Sequence, residues 1–241
     1  MRKPLIIFVL AVLALAGWLL FKNSQPAELV PSQAGLIKPH FYQKPAIDIS
    51  KINLKIFYVV PNNLQVATEW KDNINSVMPN EIKFHAVQFH NTSQLLPEIY
   101  PEPVVLEHED TFYDTNNTNN GNPEGLRNIV PELERRFPKF LEHTNDTYLA
   151  IAIIYEGVGA SGAPNAMILS RTFLSKDEYR LSGGSLFYHE LAHTFGVPDF
   201  FDLVSNQPNS DDVMGAGRYK PLETNYFGPD LQVDLGLTLS Q

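Results

Sequence analysis

The stretch that decides the reading is Ser185-Leu186-Phe187-Tyr188-His189-Glu190-Leu191-Ala192-His193-Thr194-Phe195-Gly196-Val197-Pro198-Asp199. Ser185–Phe195 reads as a helix, with Gly196 as its stop. On such a helix His189 and His193 stand four residues apart on one face, where both imidazoles reach one divalent ion. Glu190, beside the first of them, can lean over a water on that ion and act as general base. With 7 histidines in 241 residues, chance supplies an HExxH about 0.01 times. The segment is therefore read as a metal site rather than an ordinary amphipathic helix, and Zn²⁺ is the ion its donors imply.

Upstream, strands and helices alternate, which predicts a mixed α/β fold without internal repeats. Ile52–Val60 alternates and then turns fully apolar, as a central strand does. Thr68–Val77 reads as a polar helix stopped by Pro79. Ile82–Phe89 (IKFHAVQF) alternates apolar with polar and reads as a second strand. Pro97–Asn122, rich in Pro, Asn and Asp, reads as a long loop. Pro123–Leu141 reads as a helix that Pro131 and Pro138 kink or break. Tyr148–Tyr155 (YLAIAIIY) is a buried strand, and Ala166–Leu174 another, after the small-residue turn GVGASGAP.

Arg2 and Lys3 precede an apolar run from Leu5 to Phe21, at the short limit for a membrane-spanning helix. The basic start predicts a single-pass anchor with the remainder outside the cytoplasm. Ala14-Leu15-Ala16 also offers a signal-cleavage site, which would make the protein secreted. Residues 23–50, with four prolines, read as a tether, leaving 51–241 as the folded domain. Beyond residue 22 the chain carries 15 bases against 27 acids, a charge of −12. That balance disfavours nucleic acid as a partner. With no cysteine, disulfides, thiolate catalysis and Cys-ligated metals are excluded.

HELAHTFGVPD fits HExxHxxGxxD and resembles the variant of the metzincin zinc-peptidase consensus in which aspartate replaces the third histidine, as in snapalysin-type proteases. Gly196-Val197-Pro198-Asp199-Phe200-Phe201-Asp202 is also similar to the corresponding stretch of immune-inhibitor-A-type peptidases. The resemblance implies that Gly196 turns the chain sharply so that Asp199 becomes the third ligand to a single catalytic zinc. Asp202 is the rival third ligand, or a carboxylate that orients an imidazole. Asp211-Asp212-Val213-Met214-Gly215-Ala216-Gly217 looks like a Met-turn, with Met214 as a hydrophobic floor under the histidines. Where some metzincins place a tyrosine two residues after that methionine, this chain has Ala216, and Tyr219 and Tyr226 are out of register. The resemblance spans Tyr188–Gly217. It implies a zincin domain with a mixed twisted sheet, an antiparallel edge strand, an upper part (51–196) and a short lower part (197–241).

The same resemblance makes Ala166–Leu174 the edge strand, along which an extended peptide pairs by its backbone. The expected activity is zinc-dependent endopeptidase chemistry with Glu190 as base. A zinc-stabilised binding module and an amidase acting on cell-wall peptides are the alternatives. His40, His85, His90, His108 and His143 are read as solvated or hydrogen-bonded side chains. Glu107, Glu109 and Asp110 could hold Ca²⁺, although no EF-hand spacing is present.

Overall fold

The computed structural model describes residues 38–114, 121–142, 144, 146–199 and 211–237. In chain order the elements are β1 (His40–Phe41), β2 (Lys44–Asp48), β3 (Lys51–Val60), α1 (Trp70–Gln88), β4 (Gln94–Ile99), β5 (Val104–Val105), α2 (Asp110–Tyr113), α3 (Pro123–Arg136), β6 (Tyr148–Tyr155), β7 (Ala160–Ala163), β8 (Ala166–Ser170), α4 (Thr172–Ser175), α5 (Gly183–Thr194) and α6 (Pro229–Asp234). The main sheet runs β4-β3-β6-β8-β7, with β5 also paired to β3. All its pairs are parallel except β7–β8.

The sheet is covered on both faces, and the pleat shows it. Ile52, Leu54, Ile56, Tyr58 and Val60 of β3 enter one core with Ala150, Ala152, Ile154, Met167 and Leu169. That core also holds Ile74 and Phe84 of α1 and Phe187 and Leu191 of α5. Phe57, Val59, Ile151, Ile153 and Ile168 point the other way, against Leu126, Ile129 and Leu133 of α3. A strand buried on both faces has no need of polar alternation, and this explains the apolar runs in β3 and β6.

The helix of Thr68–Val77 does not stop at Pro79; it runs to Gln88 and absorbs the expected strand Ile82–Phe89. Its buried residues Trp70, Ile74, Met78, Glu81, Phe84, His85 and Gln88 follow a helical period. Pro79 removes one backbone hydrogen bond, at about 3 kcal/mol. Burial of Ile74, Met78 and Phe84, roughly 1.5–3 kcal/mol each, outweighs that. Within Pro97–Asn122, expected as a loop, lie the end of β4, all of β5 and α2.

The described part of the expected tether belongs to the fold. β1 and β2 form an antiparallel hairpin, and the Tyr42 N–H donates to Phe195 O at 3.0 Å while that of His40 donates to Leu235 O at 3.0 Å. Phe41 is buried under the end of α5. Finally, Ala166–Leu174 is not the edge. Its strand portion, β8, is wholly buried between β6 and β7. The antiparallel terminal strand is β7, inside the segment read as a small-residue turn. Thr172–Ser175 is helical. The apolar run Leu5–Phe21 lies outside the described residues, among which no helix is long and apolar enough to cross a membrane.

Candidate metal centre

Helix α5 packs on the two strands nearest the sheet's end, and its fit requires a glycine. A Cβ at Gly162 of β7 would stand 2.5 Å from His193 Cβ and 2.6 Å from Glu190 O. The bare backbone lets the terminal strand lie directly against the HExxH face. At its C-terminus α5 closes in a Schellman turn: Gly196 N–H donates to His193 O (3.0 Å) and Val197 N–H to Ala192 O (3.2 Å). Gly196 sits at φ +89, a conformation that disfavours side chains.

That turn delivers an acceptor to the second histidine. His193 Nδ1 donates to Val197 O at 2.6 Å, and His189 Nδ1 donates to Val213 O at 2.9 Å. A carbonyl can only accept, so both imidazoles carry their proton on Nδ1. Both Nε2 atoms therefore keep a lone pair for a metal. The Val213 carbonyl is held by the next turn, where Asp212 Oδ1 accepts from Met214 N–H (2.9 Å) and Oδ2 from Gly228 N–H (3.1 Å). Met214 is fully buried in the core below.

Asp199 Oδ1 lies 3.2 Å from His189 Nε2 and 3.7 Å from His193 Nε2. Donors around a tetrahedral zinc with bonds of about 2.0–2.1 Å stand roughly 3.3–3.4 Å apart. Both distances are close to that spacing, so Asp199 Oδ1 is placed to share an ion with the imidazoles after small adjustment. The two rings meet edge to face, with centroids 4.8 Å apart. Burial first, then the neighbouring His189, lowers His193 and favours its neutral, ligating form. Glu190 is buried, and desolvation raises it to about 7, against the opposing effect of His189. An acid raised to that range exchanges a proton readily near neutrality.

Among the described residues His189, Glu190 and His193 lie close enough together to hold a metal, and Asp199 reaches both imidazoles. Glu107, Glu109 and Asp110 make no such group. Glu107 pairs instead with Arg135 at 2.6 Å, and Asp110 caps Thr111 N–H at 2.7 Å. Asp202 lies outside the described residues. Sequence reading missed four contributors: the Val213 and Val197 carbonyls, Asp212, and Arg218, whose Nη1 donates to His189 Nε2 at 3.3 Å. Asp212 stood in the quoted Met-turn, but carbonyls leave no side-chain signal and Arg218 belongs to no spacing pattern. A cavity of about 250 Å³ opens beside Glu190, bordered by Arg218, Tyr219, Phe173 and Ala160.

No protein-family model and no curated protein matches this sequence. Among solved structures the chain is similar to archaemetzincin from Methanopyrus kandleri, with 14% identity, a TM-score of 0.40 and coverage of 76% of this chain and 96% of that one. It is also similar to wild-type OgpA from Akkermansia muciniphila, with 12% identity, a TM-score of 0.49 and coverage of 80% of this chain and 62% of that one. A catalytically inactive OgpA in complex with an O-glycopeptide substrate gives 12% identity and a TM-score of 0.49, over 76% of this chain and 58% of that one. This chain thus spans less than two thirds of OgpA. What the site does is read from its own residues.

Proposed function

We propose that this protein is a zinc-dependent peptidase in which His189, His193 and Asp199 hold the metal and Glu190 is the general base. The observation that carries this reading is the convergence of two proton-free Nε2 atoms and one carboxylate oxygen, 3.2 and 3.7 Å apart, beside a buried acid. Zinc, when bound, supplies a Lewis acid that acidifies water and polarises a carbonyl. Glu190 takes a proton from the attacking water, whose oxygen bonds to the carbonyl carbon. The C–N bond breaks, and Glu190 returns the proton to the leaving nitrogen.

The substrate we infer is an extended peptide lying along β7, the sheet's terminal strand, by backbone pairing. The run Leu5–Phe21 supports a site outside the cytoplasm, tethered to a membrane or released by cleavage. A peptide library incubated with wild type and Glu190→Gln tests the core of the reading. Expected are hydrolysis that stops with chelator and returns with Zn²⁺, and a variant that binds zinc but turns over roughly 10²–10⁴-fold slower. Full hydrolysis by Glu190→Gln removes Glu190 from the reaction. A zinc-loaded wild type that cleaves nothing favours the binding-module alternative.

A further inference from the structure

Arg218 lies on the short turn Ala216–Tyr219, just past Met214. Its Nη1 stands 3.3 Å from His189 Nε2 and 3.6 Å from Asp199 Oδ1. Its side chain is only 17% exposed, and the guanidinium stacks 4.9 Å from the centre of the Tyr219 ring. Arg218 and Glu190 border the same cavity, whose lining includes Ala160 of β7. A cation is thus built into a site that is to receive a second cation, next to a strand positioned to align a peptide.

Resting on the peptidase reading above, we propose that Arg218 is a catalytic residue that donates an N–H to the scissile carbonyl oxygen as that oxygen becomes negative. The geometry favours this over a purely structural ion pair. The hydrogen bond goes to His189 Nε2, the lone pair a metal requires, and the approach to Asp199 is longer, at 3.6 Å. Once metal takes that lone pair, the Nη1 N–H loses this acceptor while staying beside the metal position. The carbonyl oxygen that the metal polarises must lie within a bond length or two of the same point. A C-terminal carboxylate on the substrate would sit farther away, beyond the residue that follows the scissile bond. The carboxylates of Asp199 and Glu190 offset the positive charges gathered here. A fixed donor aimed at developing charge strengthens during the reaction, which is what lowers a barrier.

The test uses the zinc-loaded protein with Arg218→Ala and Arg218→Lys. Zinc affinity, by chelator competition, is expected to stay within about tenfold of wild type. On a peptide substrate kcat is expected to fall roughly 10²–10³-fold in Arg218→Ala with KM little changed, and to recover in part in Arg218→Lys. A phosphinic peptide, whose anionic tetrahedral phosphorus mimics the reacting carbon, should lose affinity in Arg218→Ala in step with kcat/KM. Equal phosphinate binding by wild type and Arg218→Ala overturns the proposal. So does loss of zinc as large as the loss of rate, which would make Arg218 a support for Asp199. Absence of peptide hydrolysis by wild type overturns the peptidase reading instead, and the phosphinate comparison still judges Arg218.

Discussion

Helices α1 and α5 enter the same core, and each carries a glutamate and a histidine within one turn, yet among the described residues it is those of α5 that form a group able to hold a metal. On α1 Glu81 and His85 are both wholly buried. Ser93 Oγ donates to Ile49 O, so it accepts from His85 Nε2 (2.9 Å), and His85 Nδ1 accepts from the Tyr188 hydroxyl (2.8 Å). Both ring nitrogens are consumed, and burial lowers this imidazole to about 3. On α5 backbone carbonyls take only the Nδ1 protons and leave the Nε2 atoms facing shared space. What separates a ligand from a packing histidine is therefore which nitrogen the second contact occupies. Tyr188 joins the two regions, since it anchors His85 and immediately precedes His189.

Substituting the histidines one at a time is the strongest attempt to break this contrast. His189→Ala should lose zinc and fall to background hydrolysis, with little change in the melting temperature of the metal-free protein. His85→Ala should keep the metal site but lose about 2–4 kcal/mol of stability, through a cavity and an unpartnered Tyr188 hydroxyl. Zinc titration and thermal unfolding on both variants check it. Equal loss of zinc from His85→Ala would show that the two regions are one functional unit.

The third ligand comes next in size. Asp199→Ala should weaken zinc far more than Asp202→Ala, for which the ceiling is about 10–100-fold, the effect of a carboxylate that only orients a ligand. Asp199→His should restore part of the affinity, as a third imidazole. If Asp202→Ala loses the metal and Asp199→Ala keeps it, the assignment of Asp199 fails. Gly196→Ala follows. Its Cβ would stand 2.1 Å from Phe41 Cε1, at φ +89, so a loss of about 1–3 kcal/mol is expected. Because Val197 O orients His193, zinc affinity should fall with it, and equilibrium unfolding beside zinc titration would show both.

How much of this was legible in the sequence follows the range of each interaction. The pairing on α5 was readable because helix geometry alone places His189 and His193 together. Strands β3 and β6 were readable because burial on both faces leaves an apolar run. The alternation in Ile82–Phe89 misled, since the exposed Ile82 stands two residues before the buried Phe84 and so mimics a two-residue period. The edge strand Ala160-Ser161-Gly162-Ala163 was hidden by its small residues. They look like a turn, but Gly162 is there because α5 lies against it. Phe41 under Gly196 and Arg218 beside His189 are contacts made only by the folded chain, and no local pattern announces them.

The smallest effect concerns pH and separates the α1 pair from itself. His85 is neutral when folded, and its ordinary value is near 6.5. Between about 6.5 and 3 the unfolded chain binds the extra proton, so this group makes stability fall as pH falls. Glu81 behaves oppositely. Burial raises it well above its ordinary value near 4.5, so the folded state holds the proton that the unfolded chain gives up. Its contribution is full below about 4.5 and is lost as pH rises toward the folded value. Between 4.5 and 6.5 the two slopes, each about 1.4 kcal/mol per pH unit, oppose and largely cancel. Glu190, raised to about 7 by desolvation, and His193, lowered by burial, add slopes of both signs to the wild-type profile, so the Glu81 arm is read as the difference between wild type and Glu81→Gln. Glu81→Gln removes one arm, so the stability of the variant relative to wild type should rise with pH above about 4.5, toward the folded value of Glu81. Denaturant unfolding of the metal-free protein at half-unit steps from pH 4 to 8 measures it. A variant profile parallel to wild type would mean that Glu81 ionises in the folded state, and that the buried acid on α1 is no more isolated than the one on α5.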